Sequence, residues 1–266
     1  MEEESLNLTK YLSTAGVASR RHAADLIKEG HVLVNGVVET NPGTRITSSD
    51  IVICDGKKVI PRKAVQRHYI MLNKPRGYVC TNSDDHAAKK AVDLIQLTDG
   101  ARLFSAGRLD KNSEGLILFS DDGDFVEQLT HPRHGIEKTY EVSTDRPLTQ
   151  DDISRMLKGI PNAGDLLKAL AVRTLSPTKY QLVLGEGKNR EIRRMMDALG
   201  HSTNRLKRVA VGRLTLRGLD VGEWRELTKE ECLLALQKTE RQQRSQQKAS
   251  QRTTRNQPHR PRGARD

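Results

Sequence analysis

Apolar and polar positions change period several times along the chain. Between residues 6 and 17, Leu8, Tyr11, Leu12 and Ala15 recur at helical spacing, and Gly16 offers a stop. Ser19 suits the N-cap of a second helix over residues 20–29, ended by Gly30. Its apolar face is Ala23, Leu26 and Ile27, and its other face carries Arg20, Arg21, His22 and Lys28. Val32-Leu33-Val34 then lead into Asn35-Gly36 and back through Val37-Val38. Asn-Gly favours a two-residue turn because both positions tolerate positive φ. A second hairpin, residues 51–54 turning at Asp55-Gly56, closes near Val59. Residues 6–59 therefore predict a small domain of two helices followed by short strands.

Residues 60–67 read as a basic linker broken by Pro61. A larger region, 68–238, opens with a short strand at Tyr69–Leu72 and the segment Asn73-Lys74-Pro75. A short helix is expected over 92–97. The stretch 104–120 sets a charged segment, Gly107-Arg108-Leu109-Asp110-Lys111, between two apolar runs, of which 115–119 reads as a buried strand. Helices are expected at 124–129, 150–157 with Thr149 as cap, 189–199 stopped by Gly200, and 229–236. Alternating runs at 138–142, 172–175, 180–184, 206–209 and 213–216 predict strands. Helices and strands intermix without regular βαβ alternation, so the fold class is α+β with a mainly antiparallel sheet.

Composition narrows the function. No apolar run approaches membrane-span length, and the acidic start Met1-Glu2-Glu3-Glu4 has no signal core, so no membrane and a cytoplasmic location are expected. Cys54, Cys80 and Cys232 lie far apart, as free thiols in a reducing compartment do, and they argue against a zinc knuckle. Residues 240–266 hold seven Arg and one Lys against Glu240 and Asp266, so +6 of the net +11 sits there. This apolar-poor tail, 239–266, is expected to be disordered. It reads as a localisation signal, an RNA grip or an idle extension. A basic chain with no membrane anchor points to nucleic acid, because Lys and Arg release counterions from phosphates.

Three clusters offer chemistry: the Asp110 stretch, Glu137-Lys138-Thr139-Tyr140, and Lys188-Asn189-Arg190-Glu191-Ile192-Arg193-Arg194-Met195. Taken alone, Asp110 reads as a turn-capping residue or a partner of Arg108. Together, the three provide a carboxylate nucleophile, a flat aromatic face for a base and an arginine-rich helix start. His131 and His134 are split by Pro132 with no nearby Cys, so no metal site is expected. Gly185-Glu186-Gly187-Lys188 has the wrong spacing for a phosphate loop, and no GxGxxG follows a strand.

Leu12, Gly16, Ser19-Arg20-Arg21, Ala24, Ile27-Lys28-Glu29-Gly30 and Val32–Gly36 resemble the S4 RNA-binding domain. That resemblance makes Arg20, Arg21 and Lys28 phosphate contacts. Gly107-Arg108-Leu109-Asp110, Ser113, Gly115-Leu116, Lys138, Tyr140, Asn189-Arg190 and Ile192–Met195 resemble, in order, the motifs of pseudouridine synthases. The nearest group is the bacterial ribosomal RNA family containing RsuA, RluB, RluE and RluF, and the resemblance spans about residues 6–236. It implies that Asp110 attacks a flipped uridine, that Tyr140 stacks on the base, and that Arg193 pairs with Asp110. It further implies that Arg108 fills the emptied stack and that Arg190 and Arg194 touch phosphates. Asn73-Lys74-Pro75 matches a structural motif of the same family. The expected partner is a structured stem-loop of ribosomal RNA, large-subunit ahead of small-subunit, bound by a monomer with no cofactor. The alternative is a noncatalytic S4-type RNA-binding or ribosome-assembly factor.

Overall fold

The computed structural model describes residues 5–18, 20–60, 67–81 and 89–239. The Ser19 cap, most of the 60–67 linker and all of the 239–266 tail except Thr239 lie outside the described residues. The chain divides into two units. One takes the described residues through His68, with Thr98–Leu103 and Asp121–Gly123; the other takes the rest. Among the described residues no helix is long and apolar enough to cross a membrane.

The first unit opens with β1 (Leu6–Asn7), α1 (Leu8–Thr14) and α2 (Arg20–Lys28). Asn7 caps α1 by accepting from the Thr9 backbone N–H at 3.0 Å. Strands β2 (Val32–Val34), β3 (Val37–Val38), β4 (Arg45–Ile46), β5 (Val52–Cys54) and β6 (Lys57–Lys58) follow. The order β3-β2-β5-β6 comes from the two expected hairpins. Asn35 and Gly36, and then Asp55 and Gly56, have positive φ, as their turns require. The β1–β4 pair was not expected from the sequence; strands of two residues carry no period to read. Leu8, Leu12, Ala23, Ile27, Val32, Ile46 and Val52 form the centre of an apolar core.

The second unit is built on a nine-stranded sheet. Its elements are β7 (Tyr69–Lys74), β8 (Phe104–Ala106), β9 (Glu114–Ser120), α3 (Gly123–Thr130), β10 (Lys138–Thr144) and α4 (Gln150–Lys158). Then come β11 (Ile160–Asn162), β12 (Asp165–Leu167), β13 (Ala171–Ser176), β14 (Lys179–Leu184) and α5 (Glu191–Ala198). β15 (Thr203–Val211), β16 (Leu214–Thr215), β17 (Trp224–Glu226) and α6 (Lys229–Leu236) complete it. The order is β13-β14-β10-β15-β9-β7-β17, with β8 on β9 and β16 on β15. Every pairing is antiparallel except β9 with β15, so the sheet is mainly antiparallel, as expected. All seven residues of β9 are buried. At Gly115 the β15 backbone comes so close that a Cβ would sit 2.2 Å from the Arg208 carbonyl oxygen.

Strand β17 was not among the expected strands, and three further elements of the second unit depart from expectation. The helix expected over 92–97 is a single 3₁₀ turn, Ala91–Leu94, closed by i→i+3 bonds from Asp93 N to Lys90 O and Ile95 N to Val92 O. The helix expected from 189 begins at Glu191, because Arg190 at its N-cap is left-handed (φ 48°, ψ 33°). The hairpin β11–β12 was not expected, since Pro161 interrupts its alternation.

Candidate active site

Asp110 stands on the loop between β8 and β9. That loop is fixed by its own carbonyl groups. Asp110 O accepts from Ser113 N at 2.9 Å and from Lys74 Nζ at 3.4 Å. Lys111 O accepts from Gly77 N at 2.7 Å. Asn112 O accepts from Arg193 Nη2 at 3.0 Å, and Ser113 O from Lys74 Nζ at 2.7 Å. Four consecutive carbonyls thus have donors, and each of them is contacted from another segment. Buried backbone oxygens need partners, and each partner here removes a degree of freedom from the loop. Below it, Leu109 N donates to Cys80 Sγ at 3.4 Å. The Lys74 side chain is fully buried at the end of β7, and burial lowers its pKa.

The Asp110 carboxylate is not bonded in this way. It lines a pocket of about 270 Å³ whose walls include Arg108, Ser113, Tyr140, Leu184, Arg190 and Leu206. Tyr140 is buried on the face of β10 that also carries Val142. Leu184 and Leu206 lie diagonal to it, since Tyr140 pairs with Leu182 and Arg208. The wall is therefore apolar and partly aromatic, as a flat heterocycle needs. Arg108 and Arg190 are exposed at the rim.

The three arginines of α5's start go to three places. Arg190 Nη1 lies 3.9 Å from Asp110 Oδ2, with both side chains partly exposed. Arg193 does not hydrogen-bond Asp110. It points under the loop, donating to Asn112 O and to Thr203 O at 3.2 Å. The expected Arg193–Asp110 pairing is therefore replaced by a hold on the loop two residues further on. Burial, with Arg190 nearby, lowers the Arg193 pKa while Asp110 acts to raise it. Arg194 is turned away to the β11–β12 hairpin, bonded to Asn162 and Asp165, and is not presented to a phosphate. The cause is helical geometry: neighbours are rotated by about 100°, so Arg193 and Arg194 cannot share a direction. In the other unit Arg20, Arg21 and Lys28 are exposed on α2.

The sequence reading names Lys138 and Glu191 within its clusters without giving them a role, and it does not name Arg208. Glu191 is buried in the pocket wall, its Oε2 accepting from Lys188 N at 3.1 Å, and burial raises its pKa. Lys138 is half-buried one strand step from Tyr140; burial first, then Arg208, lowers its pKa to about 8. Arg208 is buried, donating Nε–H to Leu116 O at 2.7 Å. The signal for both was available: a Lys and an Arg in strands of otherwise buried alternation.

Comparisons with known proteins identify the family of the chain. A model of the RNA pseudouridylate synthase family matches residues 68–198, and one of the S4 domain matches residues 7–52. The chain is 36% identical over 233 residues to the dual-specificity RNA pseudouridine synthase RluF of Escherichia coli (strain K12), covering 88% of this chain and 79% of that protein. It is 39% identical over 230 residues to ribosomal large subunit pseudouridine synthase B of Bacillus subtilis (strain 168), covering 84% and 93%. A crystal structure of a pseudouridylate synthase aligns with a TM-score of 0.64 at 30% identity, over 86% of this chain and 99% of that one. The chain belongs to the RNA pseudouridylate synthase family, isomerases of uridine in RNA, and carries an S4 domain on the N-terminal side of its catalytic domain.

Proposed function

We propose that the enzyme converts one uridine of ribosomal RNA to pseudouridine, and that Asp110 is the group that reacts with it. The observation that carries this reading is a carboxylate in the pocket beside Tyr140, on a loop held through four carbonyls. The isomerisation breaks the N1–C1′ bond and joins C5 to C1′. The C5 proton leaves and N1 takes one up, so no atom or electron is gained or lost. Such chemistry needs placement rather than a cofactor.

The base must leave its stack, at a cost of about a few kcal/mol. The Tyr140 ring, with Leu184 and Leu206, receives it, and Arg108 at the rim fills the vacated place. Arg193 acts on Asp110 through Asn112 O, and Arg190 lends positive charge beside the carboxylate. Residues 6–59 dock a structured stem-loop by Arg20, Arg21 and Lys28. Residues 60–67 link them to the catalytic domain, 68–238. The basic tail, 239–266, adds a further grip on RNA phosphates, and the enzyme works as a monomer. Large-subunit RNA is the favoured target, supported by the name of the Bacillus subtilis relative.

The test maps pseudouridines in total RNA from cells lacking this protein, then from cells given the wild type or Asp110→Asn. A site lost on deletion should return with the wild type alone. Loss of no site overturns the assignment, and return with Asp110→Asn removes Asp110 from the chemistry. A lost site in small-subunit or transfer RNA overturns the large-subunit target.

A further inference from the structure

Four non-glycine residues have positive φ among the described residues: Asn35, Asp55, Ala163 and Arg190. Asn35 and Asp55 are of the type that tolerates it, at the first position of two-residue turns. Ala163 and Arg190 are not, and such residues hold a left-handed conformation only where their surroundings over-determine it. One side chain grips both. Arg194 Nη2 donates to Asn162 O at 2.7 Å, the carbonyl of the peptide that enters Ala163. Its Nη1 donates to Asn189 O at 3.3 Å, the carbonyl of the peptide that enters Arg190. Fixing that carbonyl fixes the plane from which the φ of the next residue is set. The guanidinium is itself anchored by Asn162 Oδ1 at 2.9 Å and Asp165 Oδ2 at 2.8 Å. A second stay crosses the same gap, from Lys188 Nζ to Leu166 O at 2.7 Å.

We infer that Arg194 and the β11–β12 hairpin form a brace that aims Arg190 at Asp110. The inference rests on Asp110 being the reacting carboxylate. Arg194 is then a positioning residue: it touches no substrate and acts by holding Arg190 in its left-handed cap. The hairpin gives the brace a fixed end, because its turn is closed by the same guanidinium.

The test is steady-state tritium release from RNA transcribed from the ribosomal RNA genes with 5-³H-uridine, using the full chain. Arg194→Met should lower kcat about 100-fold, the size expected of a displaced active-site group. KM should change by less than about twofold, because no phosphate contact is lost. The salt slope of RNA binding should stay unchanged. In an Arg190→Ala background the same substitution should cost less than about threefold, since its target is gone. An equal loss in both backgrounds overturns the brace. So does a loss confined to KM with a shallower salt slope, which would make Arg194 a phosphate contact after all. Asp165→Asn, milder for folding, should give a smaller kcat loss that also vanishes with Arg190→Ala. Its persistence there overturns the proposal too. Asp110→Asn in the same assay keeps the two ideas apart. Retained turnover removes the carboxylate's role, whereas the coupling of residues 190 and 194 is read from enzymes that keep Asp110.

Discussion

The two units have interiors of different composition. The core of the S4 unit is apolar, from Leu8 and Leu12 through Ile27 to Val52, and its cations lie outside on α2. All twelve buried polar or charged side chains among the described residues belong to the catalytic unit. Lys74, Arg193 and Arg208 are the largest of them, and none lies within ion-pair distance of a carboxylate among the described residues. Their hydrogen bonds go to backbone carbonyls of the segment 110–116, at Asp110, Asn112, Ser113 and Leu116, besides Pro75 and Thr203. Burying a cation costs several kcal/mol and is poor value for stability alone. Apolar burial, by contrast, is non-directional. A unit that meets RNA with its surface can be held by burial. The unit that carries the Asp110 loop uses directional donors and tolerates their desolvation.

The sharpest break in this comparison comes from two glycines. Both Gly115 and Gly36 have positive φ, yet a Cβ at Gly115 meets Arg208 backbone atoms at 2.2 and 2.9 Å, while one at Gly36 meets nothing within 4 Å. Gly115→Ala should therefore destabilise by about 3–5 kcal/mol, the sum of overpacking and backbone strain. Gly36→Ala should cost about 1 kcal/mol, from conformation alone. Urea midpoints at constant m-value measure both. Equal costs would mean that the β9–β15 approach is not the constraint it looks like.

A smaller effect tests whether buried charge in the catalytic unit is a stability cost. The folded-state pKa of Lys138, about 8, lies below its unfolded value near 10.5. Between those values the unfolded chain binds more protons, so stability rises with pH across that window. Below pH 8 the penalty is present in full. Lys138→Met should then stabilise by about 1–2 kcal/mol at pH 7, after allowance for partial exposure. The gain should shrink as pH climbs from 8 towards 10.5. Thermal melts at pH 7 and pH 10 measure it; a gain that grows with pH contradicts the sign.

What could be read in the sequence follows the same division. In the S4 unit, helix faces and Asn-Gly or Asp-Gly turns depend on neighbours in the chain, and the hairpins stand where those dipeptides put them. In the catalytic unit the motifs marked Asp110, Tyr140 and the arginines, but not their partners. Lys74 reaches Ser113 across 39 positions, and Arg193 reaches Asn112 across 81. No local pattern encodes such contacts. The family resemblance implies a pairing of Arg193 with Asp110; the fold gives Arg193 the carbonyls of Asn112 and Thr203 instead. Ala163 stands before Gly164 where Asn or Asp precedes Gly in the S4 turns, so the hairpin that holds Arg194 lacked that dipeptide, although Pro161, Asn162, Gly164 and Asp165 surround its turn.

The smallest expected change in stability is on α2, and it tests the S4 half of the comparison. Arg20 and Arg21 are exposed and make no hydrogen bond or ion pair among the described residues. Arg20→Ala with Arg21→Ala should shift stability by less than about 0.5 kcal/mol for each. The two changes remove charge but no buried contact, since the buried residues of that helix are Ala23 and Ile27. RNA binding should respond where stability does not. Each phosphate contact contributes about −0.7 to −0.9 to the slope of log K against log salt, so the double variant should flatten that slope by up to about 2. Turnover at saturating RNA should be kept, because the pocket is lined by residues of the other unit. An unchanged slope would remove α2 from the RNA interface, and a loss of kcat with the slope intact would mean that the S4 unit contributes to placement after all.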